Sequence, residues 1–146
     1  MTANTSAYGK GAAAYQQTSD DNLGPMEIAL ELFKGIITFL KQAKSAYEAD
    51  DLEQMTYFLD RVFKIIEALH AHLDMDAGGK DAEFLQGYYA TMIGRMGKLF
   101  DRPDIPAEFD QLIAYTTPIY ESWYQLTHGA LPTAPSDDDD QNPDES

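Results

Sequence analysis

Residues 52–73 read LEQMTYFLDRVFKIIEALHAHL, and their apolar side chains recur at steps of three and four along the chain. This spacing is typical of an α-helix that buries one face against a core. Asp50 and Glu53 have the spacing of a capping box ahead of the run, which predicts that the helix begins there. The apolar positions that define this helix are Leu52, Met55, Leu59, Val62, Ile66, Leu69 and Leu73.

Three further segments have the same helical period. The first follows Pro25, a residue that suits the first turn of a helix. Counted along the whole chain, the third helical segment follows the turn Gly78-Gly79, where the second helix is expected to stop. The fourth segment has Asp104 as its predicted cap and ends near Gly129. Because the connections between the four segments are short, consecutive helices are expected to lie side by side and antiparallel. The sequence therefore predicts an all-α fold, an antiparallel up-down-up-down four-helix bundle over residues 25–128.

Pro118 stands inside the fourth helical segment and conflicts with its pattern. A proline removes one backbone hydrogen bond, here the one to the carbonyl of Ala114, and predicts a kink. The hydroxyls of Thr116 and Thr117 are close enough in sequence to compensate the carbonyl that loses its partner.

The two ends of the chain have compositions that do not favour independent folding. Residues 1–24 are small and polar and are predicted to form a flexible N-terminal arm, in which Tyr8 and Tyr15 are isolated aromatic anchors. Residues 129–146 are predicted to form a disordered acidic tail, because six acids and no base follow Leu131, the last large apolar side chain.

Charge and composition exclude several classes of protein. The chain has 10 lysines and arginines against 25 aspartates and glutamates, a net charge of −15. Such a charge repels phosphate backbones and anionic lipids, so we expect no nucleic-acid partner and no stable membrane insertion. The chain has no cysteine, and residues 1–11 lack a basic start leading into an apolar run. These features predict a cytoplasmic protein.

Residues for catalysis or for binding a metal or cofactor are missing from the pattern. A di-iron bundle needs two Glu-x-x-His pairs, and the chain has one, Glu67 with His70. The sequence has no phosphate-binding glycine loop and no nucleophile elbow. We therefore expect neither a metal nor a cofactor, and no enzyme activity.

The four helices carry more apolar residues than a single core-facing stripe on each helix requires, and these additional residues bear on function. They form additional rows on all four helices, and each row has two interpretations. It is either a second seam of the core, as bundle helices commonly have, or part of an exterior groove where an amphipathic partner segment lies down as an added helix. The rows comprise Ile28, Leu32 and Phe39; Phe58 and Ile65; Phe84 and Tyr88; and Ile113 and Tyr120.

Tyr15 extends the groove hypothesis to the N-terminal arm. An arm that carries this ring close before the first helix could cover such a groove in the absence of a partner, and simple capping of the bundle end explains the ring equally well. A different class of function is a small regulatory or ligand-binding bundle that accepts an apolar molecule. A metal-dependent oxidase is a third hypothesis, which elemental analysis would test.

Several short segments, taken in order, resemble the flagellin export chaperone family FliS over roughly residues 15–126. Phe33-Lys34 stands where that family often has an aromatic before the glycine of the first helix. Pro118 and the acidic tail also depart from the family pattern. The matching segments are Ala14-Tyr15-Gln16-Gln17, Pro25, Leu30-Glu-Leu-Phe-Lys-Gly35, Phe39-Leu40 with Ala43, Ile65-Ile66 with Leu69, Leu73-Asp74-Met75, Gly78-Gly79 and Trp123.

The resemblance implies a cytoplasmic flagellar secretion chaperone. Such a protein binds the disordered C-terminal segment of flagellin, prevents premature polymerisation and assists type III export, with the export gate as a further partner. It also implies that the arm carrying Tyr15 overlies part of the groove and moves when flagellin binds. Coupled folding and burial of a disordered segment on an apolar groove is physically consistent with this function.

Overall fold

The computed structural model describes residues 24–72 and 75–129, and it is the predicted all-α four-helix bundle. The helices are α1 (Pro25–Glu48), α2 (Leu52–Ala71), α3 (Met75–Gly97) and α4 (Ile105–His128), with a short 3₁₀ turn at Leu99–Asp101 between α3 and α4. Each helix packs against the next one in the chain, and α4 returns to α1. The four helices therefore form a closed ring in which α1 and α3 are diagonal. Tyr15 and the acidic tail lie outside the described residues.

The boundary between α1 and α2 differs by one residue from the predicted capping box. The cap of α2 is Asp51, whose Oδ1 accepts from the Gln54 N–H at 3.1 Å. Asp50 has a left-handed backbone, with φ of 65°. It ends α1 as the Asp51 N–H donates to the Ala46 carbonyl at 2.8 Å. The prediction of Asp50 as cap is wrong because this residue already terminates the preceding helix.

Both ends of α4 follow the local signals in the sequence. The prediction that the second helix stops at Gly78-Gly79 is wrong, because α2 already ends at Ala71, where the His72 N–H donates to the Ala68 carbonyl. Gly79, with φ of 58° and ψ of −132°, instead interrupts regular helix near the start of α3. Asp104 caps α4 by accepting from the Ala107 N–H at 3.0 Å. Gly129 closes the helix in a left-handed conformation, with its N–H on the Gln125 carbonyl at 2.7 Å.

Pro118 lies inside α4, which is one helix from Ile105 to His128. The Thr117 hydroxyl donates to the Ile113 carbonyl at 2.9 Å, and the Thr116 hydroxyl donates to the Leu112 carbonyl at 3.1 Å. Neither hydroxyl serves Ala114, so that prediction is wrong. The physical reason is that each threonine hydroxyl reaches the carbonyl four residues before its own. The kink at Pro118 stays a prediction.

Large side chains from all four helices fill the centre of the ring. Phe33 of α1 packs against Trp123 of α4, with ring centroids 5.4 Å apart, and both are fully buried. The buried hydroxyls of Tyr88 on α3 and Thr116 on α4 are hydrogen-bonded at 2.7 Å. Burial of this kind, about 25 cal/mol for each Å² of apolar surface, is the main term that stabilises a bundle.

Ion pairs join α4 to both of its neighbours. Arg95 of α3 donates to both carboxylate oxygens of Glu108, at 2.8 and 3.1 Å, and Glu108 is only 6% exposed. Lys44 of α1 donates to Asp110 at 2.9 Å. The hydrogen bond from each cation raises its pKa above the ordinary value. Because these pairs identify which flank of α4 faces which helix, they also locate the apolar rows.

A candidate partner-binding groove

Five of the predicted partner-binding residues meet on the outer side of α1 and α2. Ile28, Leu32 and Phe39 lie on one flank of α1, and Phe58 and Ile65 lie on the flank of α2 that faces it. We call this surface the α1–α2 groove. Four of its residues are partly buried and pack against the core, whereas Ile28 is 38% exposed.

Aromatic stacking organises the middle of the α1–α2 groove. The rings of Phe39 and Phe58 are stacked with centroids 6.0 Å apart and an interplanar angle of 23°. Tyr57 contacts the edge of Phe58 at 5.3 Å and is itself 53% exposed. The guanidinium of Arg61 lies 5.8 Å from the centre of the Phe39 ring. These contacts form an apolar strip of Phe39, Phe58 and Tyr57, with Arg61 as a cation at its edge.

Gly35 lowers the floor of the groove between Leu32 and Phe39. A methyl group at this position would stand 3.2 Å from Cδ1 of Ile65 on α2. The missing side chain therefore allows α1 and α2 to approach closely and leaves Ile65 as the floor. The helical period predicted an apolar row here, and only the packing shows why a glycine interrupts it.

The end of the groove at the α1–α2 connection opens into a shallow depression. Its walls combine the small side chains of Ala46 and Ala49 with the Phe58 ring and several polar groups. A helix or an extended segment on the groove could continue into this depression. The remaining lining residues are Lys41, Gln42, Ser45, Asp51 and Gln54.

The predicted residues of α3 lie away from this groove. Tyr88 is only 7% exposed and its hydroxyl bonds Thr116 of α4, so its burial fits a second seam of the core, and its role in partner binding stays a prediction. Phe84 lies one turn earlier on the flank that faces α4 and is 51% exposed. It is an apolar surface residue separated from the α1–α2 groove.

Ile113 and Tyr120 form a second strip, on the flank of α4 that faces α1. Asp110, one turn before Ile113, locates this flank by its ion pair with Lys44. Both residues pack partly buried against the core, and the Tyr120 ring contacts Tyr124 at 6.0 Å. The two strips thus border α1 on opposite sides, and the described residues do not merge them into one surface.

Two residues of the groove were not among the predicted site residues. Arg61 carries no distinguishing signal of its own in the sequence, whereas a glycine inside a helix, as at Gly35, is costly unless another helix, of this chain or of a partner, packs closely against it. The signal available for both is position, since Arg61 is three residues after Phe58 and Gly35 is four before Phe39. That signal becomes specific only once α1 and α2 are known to be neighbours on this flank.

The described residues also bear on metal binding and on membrane insertion. In the described ranges, histidines, aspartates and glutamates form no group of three or more that could hold a metal ion. Within the same part of the chain, none of the helices is both long and apolar enough to cross a bilayer.

The sequence of this chain matches a known protein family. The model of the family described as flagellar protein FliS matches residues 8–130. The flagellar secretion chaperone FliS of Campylobacter jejuni subsp. jejuni serotype O:6 is 29% identical over 113 residues, which cover 77% of this chain and 88% of that protein. The family-model match ends at residue 130, just after the end of α4, so almost all of the acidic tail lies outside it. The match to the family model over most of the chain shows that this protein belongs to the FliS family of flagellar proteins.

Proposed function

We propose that this protein is a cytoplasmic flagellar secretion chaperone that holds the C-terminal segment of flagellin in the α1–α2 groove. The observation that carries the proposal is the stacked pair Phe39 and Phe58, placed with Ile65 at the outer edge of the core. Family membership and the similarity to the Campylobacter flagellar secretion chaperone support the flagellar role. No catalytic step is part of this function.

The groove suits a segment that becomes helical on binding. Two parallel helix flanks present apolar side chains at helical spacing, so a third amphipathic helix can bury its stripe between them. A disordered segment loses conformational entropy when it folds, and apolar burial together with water release offsets that loss. While held in this way, the segment is withheld from premature polymerisation and remains available for type III export.

Binding to a flagellin C-terminal peptide tests the proposal by isothermal titration calorimetry. The double variant Phe58→Ser with Ile65→Ser removes apolar contacts from the groove, and we expect binding to weaken at least tenfold. Phe84→Ser is the matched control, because Phe84 is an exposed aromatic on a different flank. Thermal unfolding of each variant, followed by circular dichroism, separates loss of binding from loss of fold.

The results have clear consequences for the proposal. Weaker binding by the groove variant, with a folded bundle and normal binding by Phe84→Ser, supports it. Equal binding by both variants and by the unmodified chain would show that flagellin does not use this groove.

A further inference from the structure

Arg61 occupies an unusual position at the edge of the α1–α2 groove. Its guanidinium lies over the Phe39 ring and is exposed to solvent. Among the residues that the structure describes, no carboxylate lies within ion-pair distance of it. Arg61 is therefore held beside the apolar strip by packing and keeps its hydrogen-bond donors directed at solvent or at whatever covers the strip.

The charge around the groove contrasts with the charge of the whole chain. Acids outnumber bases 25 to 10 overall, yet Lys41 lines the depression and Lys64 follows Arg61 by three residues. Lys64 is paired to Asp60 at 3.2 Å. The carboxylate of Asp51, at the end of the depression, already accepts the Gln54 N–H. The groove thus has a cation at its middle, Arg61, that no carboxylate of residues 24–72 or 75–129 pairs with.

A helix that covers this groove must bring Arg61 a partner. Covering the Phe39 ring also covers the guanidinium that lies over it, which removes water from a charged group. Removing that water is unfavourable unless an opposite charge replaces it. A carboxylate can accept two parallel hydrogen bonds from an arginine, whereas an amide forms weaker bonds and an ammonium group repels it.

We propose that Arg61 determines specificity in this groove by selecting amphipathic helices that carry an aspartate or glutamate beside their apolar stripe. The inference rests on the proposed function, since it describes the partner of the same groove. The carboxylate stands at the level of Phe39, on the edge of the bound helix that faces α2. A segment with lysine or arginine at that position is rejected, because the two cations would be brought together without water.

Three synthetic amphipathic peptides test this specificity. They share one apolar stripe and differ only at the flanking position, which is glutamate, glutamine or lysine. With the full chain, calorimetry should show the glutamate peptide binding about tenfold more tightly than the glutamine peptide, and the lysine peptide weakest. The preference for glutamate should decline as salt is raised, because the added contact is ionic.

Variants of Arg61 identify the residue responsible. Arg61→Gln should bring the ratio between the glutamate and glutamine peptides close to one, and Arg61→Glu should favour the lysine peptide. Loss of packing on Phe39 would weaken all three peptides alike, so the ratio reports the charge contact alone. Lys80→Gln, an exposed cation at the start of α3, is the matched control and should leave the ratio unchanged.

The outcomes distinguish this inference from the function on which it rests. If the peptides bind with equal affinity, or if Arg61→Gln preserves the glutamate preference, the inference is overturned while the groove stands. If neither the peptides nor the flagellin segment binds, the groove itself is overturned, and the inference with it.

Discussion

Alanine substitutions at three helical glycines provide a direct measurement of how closely α1 and α2 pack. At Gly87 and Gly94 in α3 an added methyl group would meet nothing within 4 Å, whereas a methyl at Gly35 would stand 3.2 Å from Cδ1 of Ile65. Replacing a glycine in a helix interior by alanine stabilises the helix by about 1 kcal/mol. Gly87→Ala and Gly94→Ala should each therefore raise the free energy of unfolding by about 1 kcal/mol.

At Gly35 the same gain is opposed by the contact with Ile65. The distance is a few tenths of an ångström too short, so the end of the isoleucine must turn away from its rotamer, which costs about 0.5–1 kcal/mol. We therefore expect Gly35→Ala to raise the free energy of unfolding by only about 0–0.5 kcal/mol. Urea denaturation followed by circular dichroism measures the three variants, and an unchanged slope with urea confirms that each unfolds in the same way.

Ile65→Val provides the matched background because valine lacks the Cδ1 atom. In that background Gly35→Ala should recover the full gain of about 1 kcal/mol, so the two substitutions are coupled by about 0.5–1 kcal/mol. If Gly35→Ala stabilises the unmodified chain as much as Gly87→Ala does, the two helices do not meet at this glycine, and the account of the groove floor is wrong.

Other consequences of the structure can be measured separately. Glu108→Ala should lower the free energy of unfolding by about 2–3 kcal/mol, because it removes a carboxylate that is only 6% exposed and accepts two charge-assisted hydrogen bonds from the part-buried Arg95. Urea denaturation beside Glu108→Gln would show whether the charge matters, and a change below about 0.5 kcal/mol would contradict this prediction. Asp50→Gly should raise the free energy of unfolding by about 0.5 kcal/mol, since glycine adopts the left-handed backbone at φ of 65° without a Cβ clash; a lower melting temperature would refute that reason. The pKa of Lys44 is raised above 10.5 by its hydrogen bond to Asp110, so the stability from this pair is fully present below pH 10.5 and is lost as pH rises through the folded-state pKa. The difference in free energy of unfolding between the unmodified chain and Lys44→Gln should accordingly shrink at high pH. A difference that grows at high pH would contradict the predicted pH dependence of the Lys44–Asp110 pair.

The helices and most of their ends were readable in the sequence because their causes are local. The period of α2, the cap at Asp104 and the glycine at 129 act through neighbours within a few residues. The cap of α2 was misplaced by one residue for a related reason. Two adjacent aspartates are equivalent in the sequence, and the backbone of Asp50 is already used to end α1.

The candidate site was only partly predictable, because helical spacing gives an angle around a helix but not what lies at that angle. Phe84 and Tyr88 are one turn apart on the same flank, yet one is half exposed and the other is buried against α4. Phe39 and Phe58 were both predicted as surplus apolar residues. Their stacking required the two helices to be placed side by side.

The sequence by itself determined the number of helices, their approximate limits, the large negative charge and the surplus of apolar side chains. The tertiary structure alone decided which of those side chains share a surface, that Gly35 is a point of close approach between α1 and α2, and that Arg61 lies over Phe39. The physical reason is the distance along the chain over which the deciding interactions act. Backbone hydrogen bonds and caps are settled within one or two turns, whereas a groove is formed by residues on two helices whose separation and register depend on the packing of the whole ring.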